Sequence, residues 1–192
     1  MEGRWRCIVE KLVKDTLVVM DMPTVVFNAC LEKTEELLPS GHDVVTFLFS
    51  ANKSMPPRPL ADVASGGEMS RVMLALKALT SKQTHLPTIV FDEIDTGVSG
   101  KVASSMAQIM AEMSDGVGQQ VLAITHLPQI AAKGNAHYFV YKEDEEKRTL
   151  THIRQLDPEQ RIIELAHMLS GSTVTEAAKE NARQLLYEKV RE

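Results

Sequence analysis

An apolar run, Thr88-Ile89-Val90-Phe91, ends in two adjacent carboxylates, Asp92-Glu93. At the carboxyl end of a buried strand, where open α/β sheets bind ligands, such a pair has two separable uses. An aspartate there holds Mg²⁺, usually through water, because that cation takes few protein oxygens and prefers substrate phosphates. The next residue points to the other side of the chain, so Glu93 would be placed to accept a proton from an attacking water. A second apolar run, Val121 to Thr125, ends in His126. The third cluster, Ser65-Gly66-Gly67-Glu68, opens a stretch with Met69, Val72, Met73, Leu76 and Leu79 at helical spacing. Its serine and glutamate fit a capping box. Its paired glycines weaken the helix by roughly 1 kcal/mol each, yet let backbone N–H groups approach an anion at the positive helix end. Taken singly, each cluster also has a plainer reading: a capping box, a solvated strand end, a histidine facing water.

The elements around these clusters would gather them. Runs apolar on both faces suit strands covered on both sides, and Val102, Met106, Ile109, Met110 and Met113 mark a helix over Ser99 to Met113 between the two runs. Strand, helix, strand is the βαβ crossover, which brings both strand ends to one edge. Upstream, Trp5, Ile8, Leu12 and Val19 mark an amphipathic helix that stops near Met22, before Pro23. Thr24 to Leu31 and Val44 to Ser50 are expected strands around an acidic turn-prone stretch with Pro39, Ser40 and Gly41. Pro56, Pro57 and Pro59 stiffen an extended connector. Downstream, Tyr138 to Tyr141 and Thr149 to Gln155 flank a charged hairpin tip, Lys142 to Arg148, which is expected to be a solvated turn. Helices over Pro158 to Leu169 and Thr173 to Val190, with Gly171 as a stop signal, close the chain.

Composition excludes several classes. With 192 residues, 26 acidic and 21 basic side chains, a net charge of −5 and 44% hydrophobic residues, the chain has the profile of a globular domain. Two cysteines, Cys7 and Cys30, are too few for a disulfide framework. The most apolar stretch, Leu17 to Cys30, is interrupted by Asp21, Pro23 and Asn28, short of the roughly 20 apolar residues of a spanning helix. No membrane contact and no secretory signal are expected, and a cytoplasmic location is. The acidic balance argues against coating nucleic acid by bulk electrostatics.

Three ordered segments carry a family resemblance. These are Leu60-Ala61-Asp62-Val63-Ala64-Ser65-Gly66-Gly67-Glu68-Met69-Ser70-Arg71, Ile89-Val90-Phe91-Asp92-Glu93-Ile94-Asp95-Thr96-Gly97-Val98-Ser99-Gly100 and Ile124-Thr125-His126-Leu127-Pro128-Gln129-Ile130-Ala131. They resemble the signature, Walker B and switch motifs of the C-terminal ATPase lobe of the RecN family of bacterial DNA-repair proteins, among the ABC-type and SMC-like ATPases. The resemblance runs from about Val13 to Leu186.

The resemblance implies an α/β fold: the C-terminal half of an ABC-type, P-loop NTPase head. It would comprise a mainly parallel sheet, flanking helices and a hairpin over 23–192, preceded over 1–22 by the end of a coiled-coil arm helix. It further implies ATP and Mg²⁺ as cofactors, with Asp92 acting on the metal, Glu93 as the base and His126 sensing the γ-phosphate. Ser65, Gly66 and Gly67, with Glu68 beside them, would contact ATP held by a second head, so a head-to-head homodimer would complete the site. Asp95 to Gly100 would be the D-loop-like segment, although Ser99 stands where transporter-type relatives carry aspartate.

The chain contains no Gly-x-x-x-x-Gly-Lys-Ser/Thr phosphate cradle, and Gly97-Val98-Ser99-Gly100-Lys101-Val102 is too short and ends in valine. In the family that cradle lies in an N-terminal Walker A lobe, the implied partner of this one. Without it the chain is expected to neither bind ATP tightly nor hydrolyse it. The resemblance also implies DNA as the parent's partner, a double-strand-break repair role and a nucleoid-associated location; no DNA-binding residue is assigned. Two other classes stay open on the residues alone: a metal-dependent hydrolase using Asp92, Glu93 and Asp95, and a non-catalytic interaction module.

Overall fold

The computed structural model describes residues 2–39, 41–63, 66–84, 86–145, 148–171 and 173–187. The chain divides into two compact units, one of residues 1–89 and 94–121, the other of residues 90–93 and 122–192.

The first unit begins with α1 (Glu2–Val19), whose Val13 and Leu17, with Met20 just beyond its end, are fully buried. The helix stops where Asp21 adopts a left-handed φ of 64° and the Met22 N–H donates to the Leu17 carbonyl at 3.0 Å, immediately before Pro23. Strands β1 (Val26–Leu38) and β2 (Gly41–Ser50) pair antiparallel from Val26↔Ser50 to Lys33↔Asp43, with a shifted register at Leu38↔Gly41. The acidic stretch expected to be a turn is therefore mostly strand. A two-stranded ribbon leaves these side chains in water, so charge costs nothing there. Thr34 stitches the extension by donating from Oγ1 to the His42 carbonyl at 3.2 Å. The short β3 (Arg58–Pro59) adds to β2 as an edge, the place where a sheet tolerates proline. After α2 (Leu60–Val63), α3 (Gly66–Thr84) buries Val72, Leu74 and Ala75 and packs on α1. Helix α4 (Gly100–Val117) packs on α3 and buries Ala103, Met106, Ala107, Met110 and Met113; its start follows Ser99, and Gly118 ends it at φ 65°.

Strands β4 (Thr88–Asp92) and β5 (Gln120–Ile124) flank α4 and pair with each other. They run parallel, because Gln120 N–H donates to Pro87 O at 2.8 Å at one end and Glu93 N–H to Ile124 O at 3.3 Å at the other. The predicted crossover is present, but the predicted burial of both faces is not: Val90, Leu122 and Ile124 are 49%, 44% and 57% exposed. The described residues add no further strand to this pair. Among the described residues parallel pairing is confined to it, while β1–β2–β3 is antiparallel.

In the second unit, α5 (Pro128–Lys133) is followed by the antiparallel hairpin β6 (Tyr138–Glu145) and β7 (Arg148–Gln155). Lys142 to Glu145 and Arg148 belong to the strands rather than to a long charged loop, and Glu146 and Lys147 lie outside the described residues. Facing polar pairs stabilise this extension, with the Thr149 hydroxyl donating to Asp144 at 2.7 Å. Helix α6 (Pro158–Ser170) starts in a reciprocal capping box between Asp157 and Gln160 and ends at Gly171, φ 77°. Helix α7 (Glu176–Tyr187) starts later than Thr173, because Thr175 Oγ1 accepts from the Ala178 N–H at 3.1 Å and so caps it; Val190 lies outside the described residues. Ala132, Leu165, Ala166, Ala178 and Ala182 form the core of this unit.

Candidate functional site

Within the second unit, the ends of β4 and β5 lie side by side. Asp92 is the last residue of β4 and is exposed. Glu93, also exposed, has a left-handed φ of 48°, a conformation that costs a residue with a Cβ on the order of 1 kcal/mol. Its N–H bond to Ile124 holds this turn against the last residue of β5, two residues before His126. Beyond that strand, Thr125 Oγ1 accepts from the Leu127 N–H at 3.0 Å, a local turn with His126 exposed between the two bonded residues. Pro128 opens α5 directly afterwards. The parallel register thus brings Asp92, Glu93 and His126 to one strand-end edge.

A group not foreseen from the sequence supports α5 from below. The guanidinium of Arg161, on α6, donates to the carbonyls of Ala132 at 3.4 Å, Gly134 at 2.6 Å and Asn135 at 3.3 Å. It thereby holds the chain at and after the end of the helix that follows His126. Half-buried His137 lies close by, and its pKa is lowered by burial first and by the Arg161 charge second. The sequence signal for this clamp was slight, a single arginine on an otherwise mixed helix.

The second cluster belongs to the first unit. Ser65 lies outside the described residues. Gly66 is exposed at the start of α3, and Glu68 is half-buried in its first turn, where a carboxylate suits the positive helix end. The two glycines have separate uses. A Cβ on Gly66 would meet Thr96 at 3.9 Å, an ordinary contact, whereas one on Gly67 would sit 2.5 Å from the Gly97 carbonyl oxygen. Gly66 is exposed and Gly67 is buried, so the close approach to Gly97 accounts for a glycine at 67. Gly97, at φ 73°, is the reciprocal partner, its Cβ position 3.0 Å from the Gly67 nitrogen. Ser70 Oγ bonds the Gly66 carbonyl at 2.9 Å and lies 3.5 Å from that of Thr96. Gly97, Ser70 and Arg71 lie in the quoted motifs, but spacing alone did not indicate that they pack together.

Asp95 is fully buried, while Asp92 and Glu93 are exposed. Among the described residues no group of three or more His, Cys, Asp or Glu side chains is placed to hold a metal ion. A single exposed carboxylate at Asp92 still suits Mg²⁺ whose other ligands are water and phosphate oxygens. No described helix is long and apolar enough to cross a membrane.

No family model matches the chain. Among curated proteins, it is 44% identical over 151 residues to DNA repair protein RecN of Bacillus subtilis, covering 79% of this chain and 26% of that protein. It is 39% identical over 178 residues to RecN of Vibrio cholerae, covering 92% and 32%. With RecN of Deinococcus radiodurans it shares 43% identity over 180 residues, covering 92% and 31%. The chain therefore spans between about a quarter and a third of the length of these relatives. Among solved structures, the Smc head domain with a coiled coil and joint from Pyrococcus yayanosii matches with a TM-score of 0.66 at 20% identity, over 84% of this chain and 29% of that one. A chain from work on ATP-driven dimerization and DNA-stimulated activation of SMC ATPases matches with a TM-score of 0.59 at 15% identity, over 88% and 96%. At such identities these two show the fold alone.

Proposed function

For a chain that is RecN-related in sequence and has the α/β fold of an SMC-type ATPase head, we propose the role of a C-terminal head lobe acting in DNA double-strand-break repair. Joined to an N-terminal lobe carrying the Walker A cradle, it would hydrolyse ATP. The observation that carries this reading is the Glu93 to Ile124 backbone bond, which sets the two carboxylates beside the strand that leads to His126. ATP with Mg²⁺ supplies the scissile phosphoanhydride and the charge that the site must neutralise. Asp92 would hold the metal, Glu93 would accept a proton from the attacking water, and the His126 ring would hydrogen-bond the γ-phosphate. Ser65, Gly66 and Gly67, with Glu68 beside them, would reach a nucleotide on a second head, so two lobes facing one another complete each site. Residues 1–22 would end a coiled-coil arm, a role supported by the exposed apolar positions Trp5, Ile8, Leu12 and Val19 along α1. DNA engagement and a nucleoid-associated, cytoplasmic location follow from the same reading.

Titration calorimetry with Mg-ATP tests the division of labour. This chain alone should show no micromolar binding, and such binding would contradict the need for a second lobe. With the N-terminal lobe supplied, Glu93→Gln should lower turnover by roughly 10²–10⁴-fold, the range for a positioned base. Unchanged turnover would remove Glu93 from the chemistry.

A further inference from the structure

Arg71 joins two elements that neither the motif spacing nor the proposed chemistry connects. From α3 its Nε donates to the Gly67 carbonyl at 2.9 Å, one turn back. Its Nη1 donates to the Met20 carbonyl at 3.1 Å, just beyond the end of α1. The two acceptors differ in kind. Met20 lies at a helix C-terminus, where carbonyls lack intrahelical partners and a cation complements the dipole. Gly67 is the residue whose Cα side is closed by the Gly97 carbonyl. One planar guanidinium therefore ties the end of α1 to a residue already pinned on its opposite side, and its fixed fork geometry transmits displacement better than a flexible ammonium would. The end of α1 is itself sharply set, with Met20 fully buried and Asp21 left-handed. It has little freedom to move without moving its carbonyl.

We propose that Arg71 is a positioning residue that couples the end of α1 to the Gly66–Gly67 turn, so that the state of the arm helix regulates how that turn is presented. The regulatory meaning rests on the proposed trans-acting role of the turn; the coupling itself does not. Arg71 touches no substrate in this scheme. It acts on the backbone that would.

The test is a double-mutant cycle on the 192-residue chain, read by hydrogen exchange at the amides of residues 70–72. Val19→Gly loosens the last residue of α1 at an exposed position without opening the core. In the native background it should speed exchange at 70–72. Arg71→Met keeps the apolar stem and removes both donors. It should speed exchange by about tenfold or more, as loss of a charged hydrogen bond implies, and make the added effect of Val19→Gly vanish. If Arg71→Met fails to fold, Arg71→Lys, which keeps the charge without the fork, enters the same cycle and should retain less than half of the coupling. A Val19→Gly effect of equal size with and without the arginine overturns the proposal. Exchange is read without nucleotide, so this failure is distinct from a failure of the ATPase reading, which the Glu93→Gln turnover measurement decides.

Discussion

The β4–β5 edge of one unit and the start of α3 in the other each carry residues singled out by motif, yet they are held in opposite ways. At the edge, Asp92, Glu93 and His126 are exposed side chains, and the order comes from the strand ladder and turn beneath them. At the start of α3, Gly67 has no side chain to offer and is buried by backbone on one side and bonded by Arg71 on the other. In the first region the proposed chemistry would fall to exposed side chains above a backbone scaffold. In the second, the fold is the device, and a single added methyl group interferes with it.

Substitutions sharpen this contrast, the largest effect coming first. In a head completed by the proposed N-terminal lobe, the roughly 10²–10⁴-fold loss of turnover expected for Glu93→Gln should far exceed its effect on the unfolding free energy of this chain in urea titration, because the exchange is nearly isosteric at an exposed position. Glu93→Gly should abolish turnover too, while relieving the strain at a φ of 48°, which glycine accepts. Marked destabilisation by either variant would show that the edge is structural after all. Gly67→Ala should behave in the reverse manner. Its Cβ, 2.5 Å from the Gly97 oxygen, forces a backbone shift costing about 1–3 kcal/mol, partly offset by alanine's helix propensity. Gly66→Ala should be neutral or stabilising by up to about 1 kcal/mol, since its Cβ meets nothing nearer than 3.9 Å. Equal urea midpoints for the two alanine variants would erase the distinction between the glycines.

The same contrast explains what was legible beforehand. Periodicity marked α1, α3 and α4, and the short apolar runs marked β4 and β5; the buried face was read correctly in α4, where Met106, Met110 and Met113 are buried, but not in α1, which buries Val13 and Leu17 and leaves Trp5, Ile8, Leu12 and Val19 exposed. The edge followed directly, since a βαβ crossover places both strand ends together whatever the side chains are. The role of Gly67 was not legible. Its reason lies in Gly97, thirty residues on, and nothing local in Ser65-Gly66-Gly67-Glu68 reports that contact. Exposure of Val90, Leu122 and Ile124 was missed for a related reason. An apolar strand signals that something covers it, but not whether the cover belongs to the same stretch of chain. The length of β1 was missed because a solvated ribbon requires no apolar alternation to extend.

The smallest effect concerns pH and the support behind the edge. His137 is held below its ordinary value of 6.5, by burial and then by the Arg161 charge, so it is neutral in the fold across a range where the unfolded chain protonates it. When the unfolded state binds more protons, stability falls as pH falls. His137 therefore costs nothing well above pH 6.5, and its contribution is lost progressively as pH drops from there toward the lowered folded value. Urea midpoints at pH 7.5 and 5.5 should differ more for the native chain than for His137→Gln, which cannot titrate. The comparison isolates one histidine, because the other titrating groups are common to both proteins. An identical pH dependence would mean that protonated His137 is accommodated beside Arg161, and that the three-carbonyl clamp under α5 holds through acid without help from a neutral imidazole.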